Sequence, residues 1–556
     1  MIKLSLLTAA LLAAGSSAFA QPSVDAGSQI QQIPPAPTAP KSIPDIRVQR
    51  GQAPAAPGPA ELRVLVQSLH VTGETRFTEA ELIAAAQFRP GTQLDLAGLR
   101  AMAARISDFY NRHGYFVAQA YLPAQNIENG VVTIAVVEGR YGKVALNNET
   151  GVSDRLARSV LAGLDSGDLV TTAPLERRLL LLSDLPGVRA RSTLSPGEAV
   201  GTSDLSVDLT PGRRVTGSLE ADNAGNRYTG VYRGGGTVNF NEPTGHGDVA
   251  SLRFLTAGEG LNYLRGAYQA RIQNATVGVA YAHLWYELGK EFAPLDAHGT
   301  LGIASVYASY PLIRSYDNNL YLVGDFAAKT FKDRVGATGS VTDKTAQVAT
   351  VGLTGDHHDR LWGGGWTSYS IYGGFGDLNI KTPVVRAADA LTARTHGSYR
   401  KASLEVARLQ ELGGPLSLYG QARGQLASKN LDSSEKMELG GAYGVRAYPE
   451  GEAYGDQGYL LIAEARWRLA GLSERSGGQL RAIAFVDYGS VTLNKSPWIA
   501  GDNHRTLSGA GVGLTWADRH NLLVKVSYAF KLGDERATSA PDRSGRIWVQ
   551  ISKFFG

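Results

Sequence analysis

Residues 522–532 read Leu522-Leu523-Val524-Lys525-Val526-Ser527-Tyr528-Ala529-Phe530-Lys531-Leu532, and their two-residue period decides the fold. Leu522, Val524, Val526, Tyr528, Phe530 and Leu532 share one face; Leu523, Lys525, Ser527, Ala529 and Lys531 share the other. A strand with one apolar face and one of mostly small or cationic groups suits a barrel wall between lipid and a polar lumen. Ala510, Val512, Leu514 and Trp516 alternate in the same way with Gly511, Gly513 and Thr515, and Ile547, Val549 and Ile551 with Trp548, Gln550 and Ser552. After Pro211-Gly212 no helical period is visible. The last strand ends in Phe554-Phe555-Gly556, where aromatic rings suit a lipid interface.

Composition agrees with such a barrel and excludes several chemistries. The 556 residues include 66 glycines, 24 tyrosines and no cysteine, so neither a disulfide nor a thiolate metal site is available. Basic and acidic residues number 55 and 51, which gives no case for nucleic acid. Residues 1–20 carry Lys3, a Leu/Ala run and Ala18-Phe19-Ala20, the pattern of a secretory signal peptide that is too short to span a membrane. Residues 21–61 are dense in proline, which favours an extended linker; residues 23–33 can form a short helix under a Ser23 or Asp25 cap, although in isolation a disordered tail is the favoured reading.

Between linker and barrel, residues 62–139 predict a small α+β module. A strand through Val64, Val66 and 69–71 leads to a helix opened by the capping box Thr78-Glu79-Ala80-Glu81 and a second helix from Asp95 to Gly114. Two strands follow, over 116–121 and 131–137. The order strand, helix, helix, strand, strand recurs over 140–212, with helices at 154–164 and 174–182 and strands at 144–146, 188–194 and 205–209. Tandem modules explain this better than one larger domain.

The Gly-rich run 439–464, LGGAYGVRAYPEGEAYGDQGYLLIAE, lies between strand patterns, and about forty residues later comes Phe485-Val486-Asp487-Tyr488-Gly489. An arginine on a loop folded back into the lumen can pair bidentately with a carboxylate on the wall, which places Arg446 opposite Asp487 as a loop anchor.

These motifs resemble the TpsB transporters of two-partner secretion, the haemolysin-activator and filamentous-haemagglutinin transporter group of the POTRA-barrel superfamily. Val445-Arg446-Ala447-Tyr448 resembles the family's VRGY signature, continued by Gly455, Asp456, Gly458 and Glu464; Phe485, Asp487 and Gly489 match its FxDxG strand. Asp222, Asn223 and Gly225 resemble the first barrel hairpin, and 122–125, 137–139, 185–188 and 194–197 resemble the two POTRA units. Ala447 stands where the family usually has glycine, so its methyl is expected to restrict the backbone. The resemblance implies a transmembrane antiparallel β-barrel of about sixteen strands over 213–556, a number the chain length accommodates at ~10 residues per strand. It implies two POTRA modules in the periplasm (62–139 and 140–212), a helix able to occupy the pore, and a lumen-facing loop around 439–458. It further implies a Gram-negative outer-membrane location and a secreted exoprotein partner bearing an N-terminal secretion domain. Phe554 and Phe555 resemble the signal read by the barrel assembly machinery, and outer-membrane lipids complete the expected partners.

Enzyme chemistry and cofactors are not expected. No glycine cluster ends in the GK[ST] of a P-loop, the alternating Gly509, Gly511 and Gly513 read as barrel wall, and His357-His358-Asp359 reads as a solvated loop for which spacing places no third metal ligand. The expected function is secretion of an unfolded exoprotein without ATP. The alternatives are an outer-membrane assembly factor of the same superfamily, usually richer in POTRA modules, and a passive porin, which lacks them.

Overall fold

The computed structural model describes residues 25–37, 45–48 and 63–556, with backbone alone at 45–48, 475 and 476. The expected signal peptide lies outside the described residues. The chain forms two units, one of Arg214–Pro243 and Asp248–Gly556 with the N-terminal segment, the other of residues 45–48 and 63–213 with Thr244–Gly247. Ahead of the modules come helix α1 (Ala26–Gln31) and strand β1 (Asp45–Val48).

The first module contains β2 (Val64–Val66), β3 (Ser68–Thr72), α2 (Glu79–Ala86), β4 (Thr92–Leu94), α3 (Leu96–Arg112), β5 (Gln119–Tyr121) and β6 (Val131–Val137). Thr78 and Glu81 close the expected capping box on α2, and the Asp95 carboxylate accepts from Gly98 N at 2.7 Å to start α3. Leu99, Met102, Ala103, Ile106 and Tyr110 then bury one face of α3 on a three-stranded sheet ordered β3-β6-β5. The strand expected from Val64 to Val71 is broken at Gln67, whose N–H turns to Gly130 O at 2.7 Å. β2 therefore pairs with β4, a strand the apolar pattern does not reveal. The strand expected over 116–121 starts only at Gln119, because Ala118 N bonds back to Tyr115 O in a turn.

Glu138 ties this module together from the end of β6. Its buried carboxylate accepts from Thr75 N at 2.7 Å, Arg76 N at 2.9 Å and Tyr110 Oη at 2.9 Å, and from the Thr75 hydroxyl. Burial opposes ionisation, but these hydrogen bonds outweigh it and hold the carboxyl below the usual carboxylate range. Since the folded value lies below the unfolded one, the stabilisation is complete above the unfolded range near pH ~4.3 and disappears as pH falls through the folded value. Glu138→Gln is expected to cost about 1.5–3 kcal/mol at pH 7 and to flatten this acid dependence. Hydrogen exchange at residues 74–78 and 131–137 in the full chain, at pH 7 and pH 4, measures both effects.

In the second module, β7 (Arg140–Asn148), α4 (Asp154–Leu161), α5 (Thr172–Ser183), β8 (Val188–Pro196) and β9 (Thr202–Pro211) repeat the order β3-α2-α3-β5-β6 of the first, without counterparts of β2 and β4. Leu175, Leu179, Leu181 and Leu182 of α5 pack on Val188, Leu194, Leu205, Val207 and Leu209 of the sheet. β7 runs parallel to β9, β8 antiparallel to it, and β1 pairs parallel on the outer side of β8. A segment of the proline-rich linker thus becomes a fourth strand, in which Ile46 and Val48 are the β-prone residues.

Sixteen antiparallel strands then form a closed barrel, each paired with its sequence neighbour, and strand Val215–Asp222 closes on Gly545–Phe555. The alternation read from sequence holds: Val512, Leu514, Tyr528 and Phe530 are exposed on the outer wall, and Ser527 and Ala529 are buried inside. His357, His358 and Asp359 end strand Ser340–Asp359 rather than lying in a loop, and Asp359 is gripped by Arg408 at 2.8 and 3.1 Å. No described helix is long and apolar enough to cross a membrane.

Candidate functional site: the loop and helix inside the barrel

The segment between strands Leu416–Ala427 and Gln457–Arg468 folds into the lumen. It begins near Ser428, eleven residues before the expected boundary at Leu439. Glycine is required where the loop folds on itself: Gly441 has φ +91°, and a Cβ on Gly444 would stand 2.0 Å from Leu439 O. Nearly every residue from Asn430 to Asp456 is buried, Tyr443 being an exception.

Arg446 is the centre of this arrangement. Its Nε donates to Asp487 Oδ2 at 2.9 Å, Nη2 to Asp487 Oδ1 at 2.6 Å, and its backbone N to Oδ2 at 3.0 Å. The geometry matches the expected pair, and it adds a second carboxylate: Nη1 donates to Glu464 Oε1 at 2.7 Å. Glu464 is held in turn by Arg466 at 2.7 and 2.9 Å. The guanidinium lies 3.5 Å from the Phe485 ring centroid, and Trp548 Nε1 donates to Arg446 O at 2.7 Å. Phe485, Asp487 and Gly489 face inward because strand Gly478–Thr492 alternates, with Val486 and Tyr488 outside.

The remaining motif residues act as neighbours of this centre. Val445 and Tyr448 are buried beside it, and Tyr448 Oη donates to Glu535 O at 3.0 Å. Asp456 accepts from Leu431 N at 3.0 Å and Lys495 N at 2.7 Å and pairs with Lys436 at 3.0 Å, which closes the base of the loop. Side chains at Gly455, Gly458 and Gly489 would strike Val491, Ser490 and Leu439 respectively. Ala447 departs from expectation. Its φ is not positive, so the methyl does not strain the backbone; it packs instead 2.5 Å from where a Cβ on Gly509 would stand. Gly509→Ala should therefore displace the loop, whereas Ala447→Gly leaves the wall contact free. Loop displacement is read by trypsin cleavage at Arg446 in outer-membrane vesicles, expected only for Gly509→Ala.

Asp222, Asn223 and Gly225 lie at the seam. Asp222 pairs with Arg233 at 2.9 and 3.3 Å, and Asn223 exchanges bonds with Val549 at 2.8 and 3.2 Å, extending the closure. A Cβ on Gly225 would stand 2.0 Å from Gly230 O. On the outer wall Phe555 lies against Gly217 of the first strand, with Phe554 opposite Ser218.

Three anchors were not visible from spacing. Glu435 pairs with Lys329 at 2.6 Å and Lys401 at 2.7 Å on the opposite wall. Glu452, fully buried, accepts from Arg505 at 2.9 Å and from the backbone and hydroxyls of Thr538 and Ser539, fastening the segment before the last strand. Helix α1 also lies in the lumen. Asp25 caps it at Ser28 N and accepts from Ser433 Oγ at 2.8 Å, Ala26 N donates to Asp333 at 3.0 Å, and Gln32 Nε2 donates to Tyr454 Oη at 2.8 Å. Arg233 donates to Gln32 O at 2.8 Å, Thr229 to Gln29 at 3.1 Å, and Gln31 to Ser434 O. An acidic or amide side chain gives no sequence signal for a partner hundreds of residues away.

A closed sixteen-strand wall, an arginine-anchored loop inside it and two α+β modules ahead of it define an outer-membrane transporter of the POTRA-barrel class. The model of the haemolysin secretion/activation proteins ShlB/FhaC/HecB matches residues 201–516, and that of the ShlB-type POTRA domain matches residues 64–139. The chain belongs to this family, the TpsB transporters of two-partner secretion, which reside in the outer membrane with POTRA modules in the periplasm and act with a secreted partner protein. It is 29% identical over 472 residues to the heme/hemopexin transporter protein HuxB of Haemophilus influenzae, covering 84% of this chain and 82% of that protein. It is 26% identical over 480 residues to the outer membrane transporter CdiB of Escherichia coli, covering 82% and 77%. The solved structure of CdiB from Escherichia coli shares the fold, with TM-score 0.68 and 22% identity over 91% of this chain and 93% of that one.

Proposed function

We propose that this chain captures an unfolded exoprotein in the periplasm through its two POTRA modules and passes it through the barrel lumen without ATP. Helix α1 closes the lumen at rest and leaves when the partner engages, while the Arg446 loop stays fastened to the wall and shapes the path. Support comes chiefly from what lines that path: a helix of only six residues held by hydrogen bonds and a single ion pair, Asp25 to Lys344 at 3.6 Å, beside a loop held by several buried ion pairs. Capture is by β-augmentation, in which an extended segment adds to an open sheet edge and its alternate side chains are read by the module surface. The partner carries an N-terminal secretion domain, and folding outside the cell biases the movement outward. Insertion of the barrel itself relies on the assembly machinery reading Phe554 and Phe555.

Deleting residues 62–212 is expected to abolish secretion of an exoprotein whose reading frame neighbours that of this chain, while the barrel still assembles. Immunoblots of culture supernatant and heat-modifiable gel mobility measure the two. Undiminished secretion by the deleted chain would remove the capture step.

A further inference from the structure

The wall strands are uneven in length. Asn318–Val335, Ser340–Asp359 and Gly365–Ile380 have 18, 20 and 16 residues, whereas a tilted strand crosses the hydrocarbon layer in about 9–11. These strands therefore continue into a headgroup layer. The first wall strand follows the periplasmic modules and strand order is sequential, so residues 336–339, 381–396 and the start of the in-folding loop lie at the extracellular end. Toward that end the outer face changes character. Leu322, Val351, Ile371 and Leu404 are exposed and apolar, and Phe326 and Phe375 close this belt. Phe375 pairs with Arg400, and in the next row Asp377 pairs with Gln347 and Ser398. Together they line a depression of about 600 Å³ on the lipid side of the wall.

Arg400 is the cation of this depression. It is exposed on the same face as Leu404, and its guanidinium has no hydrogen bond or ion pair among the described residues. Only its backbone is engaged: the N–H donates to Ser428 Oγ at 2.9 Å and the carbonyl accepts from Ser428 N at 2.9 Å. An unpaired cation at the edge of an apolar belt is costly until an anion meets it. Its surroundings add positive charge. Lys332, Lys381, Arg386 and Arg394 are exposed at the same end without an ion pair among the described residues, whereas Asp343 is already paired with Arg334 at 2.8 Å.

We propose that this depression binds the phosphorylated glycolipid of the outer leaflet, the lipid A part of lipopolysaccharide. Arg400 takes a glucosamine phosphate, its planar fork matching two phosphate oxygens. Asp377 holds the Ser398 hydroxyl at 2.9 Å through Oδ2 and keeps Oδ1 for a sugar hydroxyl, beside the Gln347 amide. An acyl chain lies against Phe326 and Phe375. Guanidinium, sugar-binding groups and apolar rings thus match the three parts of one molecule. An ordinary phospholipid brings no saccharide for Gln347 and Asp377. The site is independent of capture at the modules.

Full-length chain refolded in detergent free of lipopolysaccharide, titrated with fluorescent bisphosphorylated lipid A, provides the test, with heat-modifiable mobility confirming assembly of each variant. Arg400→Gln should weaken binding about tenfold, as expected for one charge-assisted pair. Arg400→Lys should weaken it less, since the charge stays and only the fork is lost. Removing the phosphates from the probe should weaken wild-type binding at least as much, and Arg400→Gln should then make no further difference. Equal affinity of wild type and Arg400→Gln for the bisphosphorylated probe overturns the proposal. If Arg400→Gln does not assemble, the wild-type chain decides alone: equal binding of the phosphorylated and dephosphorylated probes overturns it. Phosphatidylglycerol that displaces the probe as well as unlabelled lipid A does also overturns it, since the contact is then with any anionic lipid.

Discussion

Arg446→Ala is expected to reduce secretion by at least an order of magnitude while the barrel remains assembled. The reason lies in what the substitution leaves behind. Asp487 and Glu464 are buried on neighbouring wall strands, and without the guanidinium they are left there with three charge-assisted hydrogen bonds missing. Removing one partner of a buried pair costs about 3–5 kcal/mol. At about 1.4 kcal/mol per decade, that is enough to convert an anchored loop into a mostly released one. The wall loses little, because its sixteen-strand ladder does not include Arg446. Arg446→Lys keeps the charge but cannot present the planar fork that serves two carboxylates, so an intermediate loss is expected. Asp487→Ala should resemble Arg446→Ala, since Glu464 is already shared with Arg466. Secretion is read in the supernatant and assembly by heat-modifiable mobility; wild-type secretion by both alanine variants would detach the anchor from function.

Removal of residues 25–33 should raise the ion conductance of the reconstituted barrel severalfold and make it steady. Ala26 and the flanking Ile30 and Ile33 pack on Leu284, Tyr286, Phe331 and their neighbours, and polar contacts at both ends of α1 hold it there. None of these contacts is in the wall ladder, so the barrel should persist without them. Planar-bilayer recordings of the full and shortened chains give the comparison. Equal conductance would mean that α1 does not obstruct the path.

What could be read from sequence follows from how local each signal is. Alternation in residues 522–532 reports the two sides of a wall, and it needs no partner to be visible. Thr78 with Glu81, and Asp95 ahead of α3, are local capping chemistry and were equally legible. The Arg446–Asp487 pair was within reach because each member carries an unusual charge in an otherwise apolar or Gly-rich setting. Glu464 was found as part of a motif, but its role as second acceptor was not, since two carboxylates on neighbouring strands meet only after the barrel register is fixed. Glu452, Glu435 and the contacts of α1 depend wholly on closure of the barrel. β4 was hidden because three residues carry no period, and β1 because proline density masks the β-prone Ile46 and Val48. Ala447 was misread for a related reason: the cost of a methyl depends on what stands opposite, and opposite it is Gly509.

Transport by this chain alone is tested most directly in liposomes that contain it as the sole protein, with a denatured exoprotein diluted outside and no nucleotide present. The expected result is exoprotein protected from added protease inside the vesicles, with no protection when residues 62–212 are deleted. Exoprotein that stays fully protease-sensitive, in vesicles whose ion conductance confirms an assembled barrel, would contradict capture by the modules and passage through the lumen without ATP.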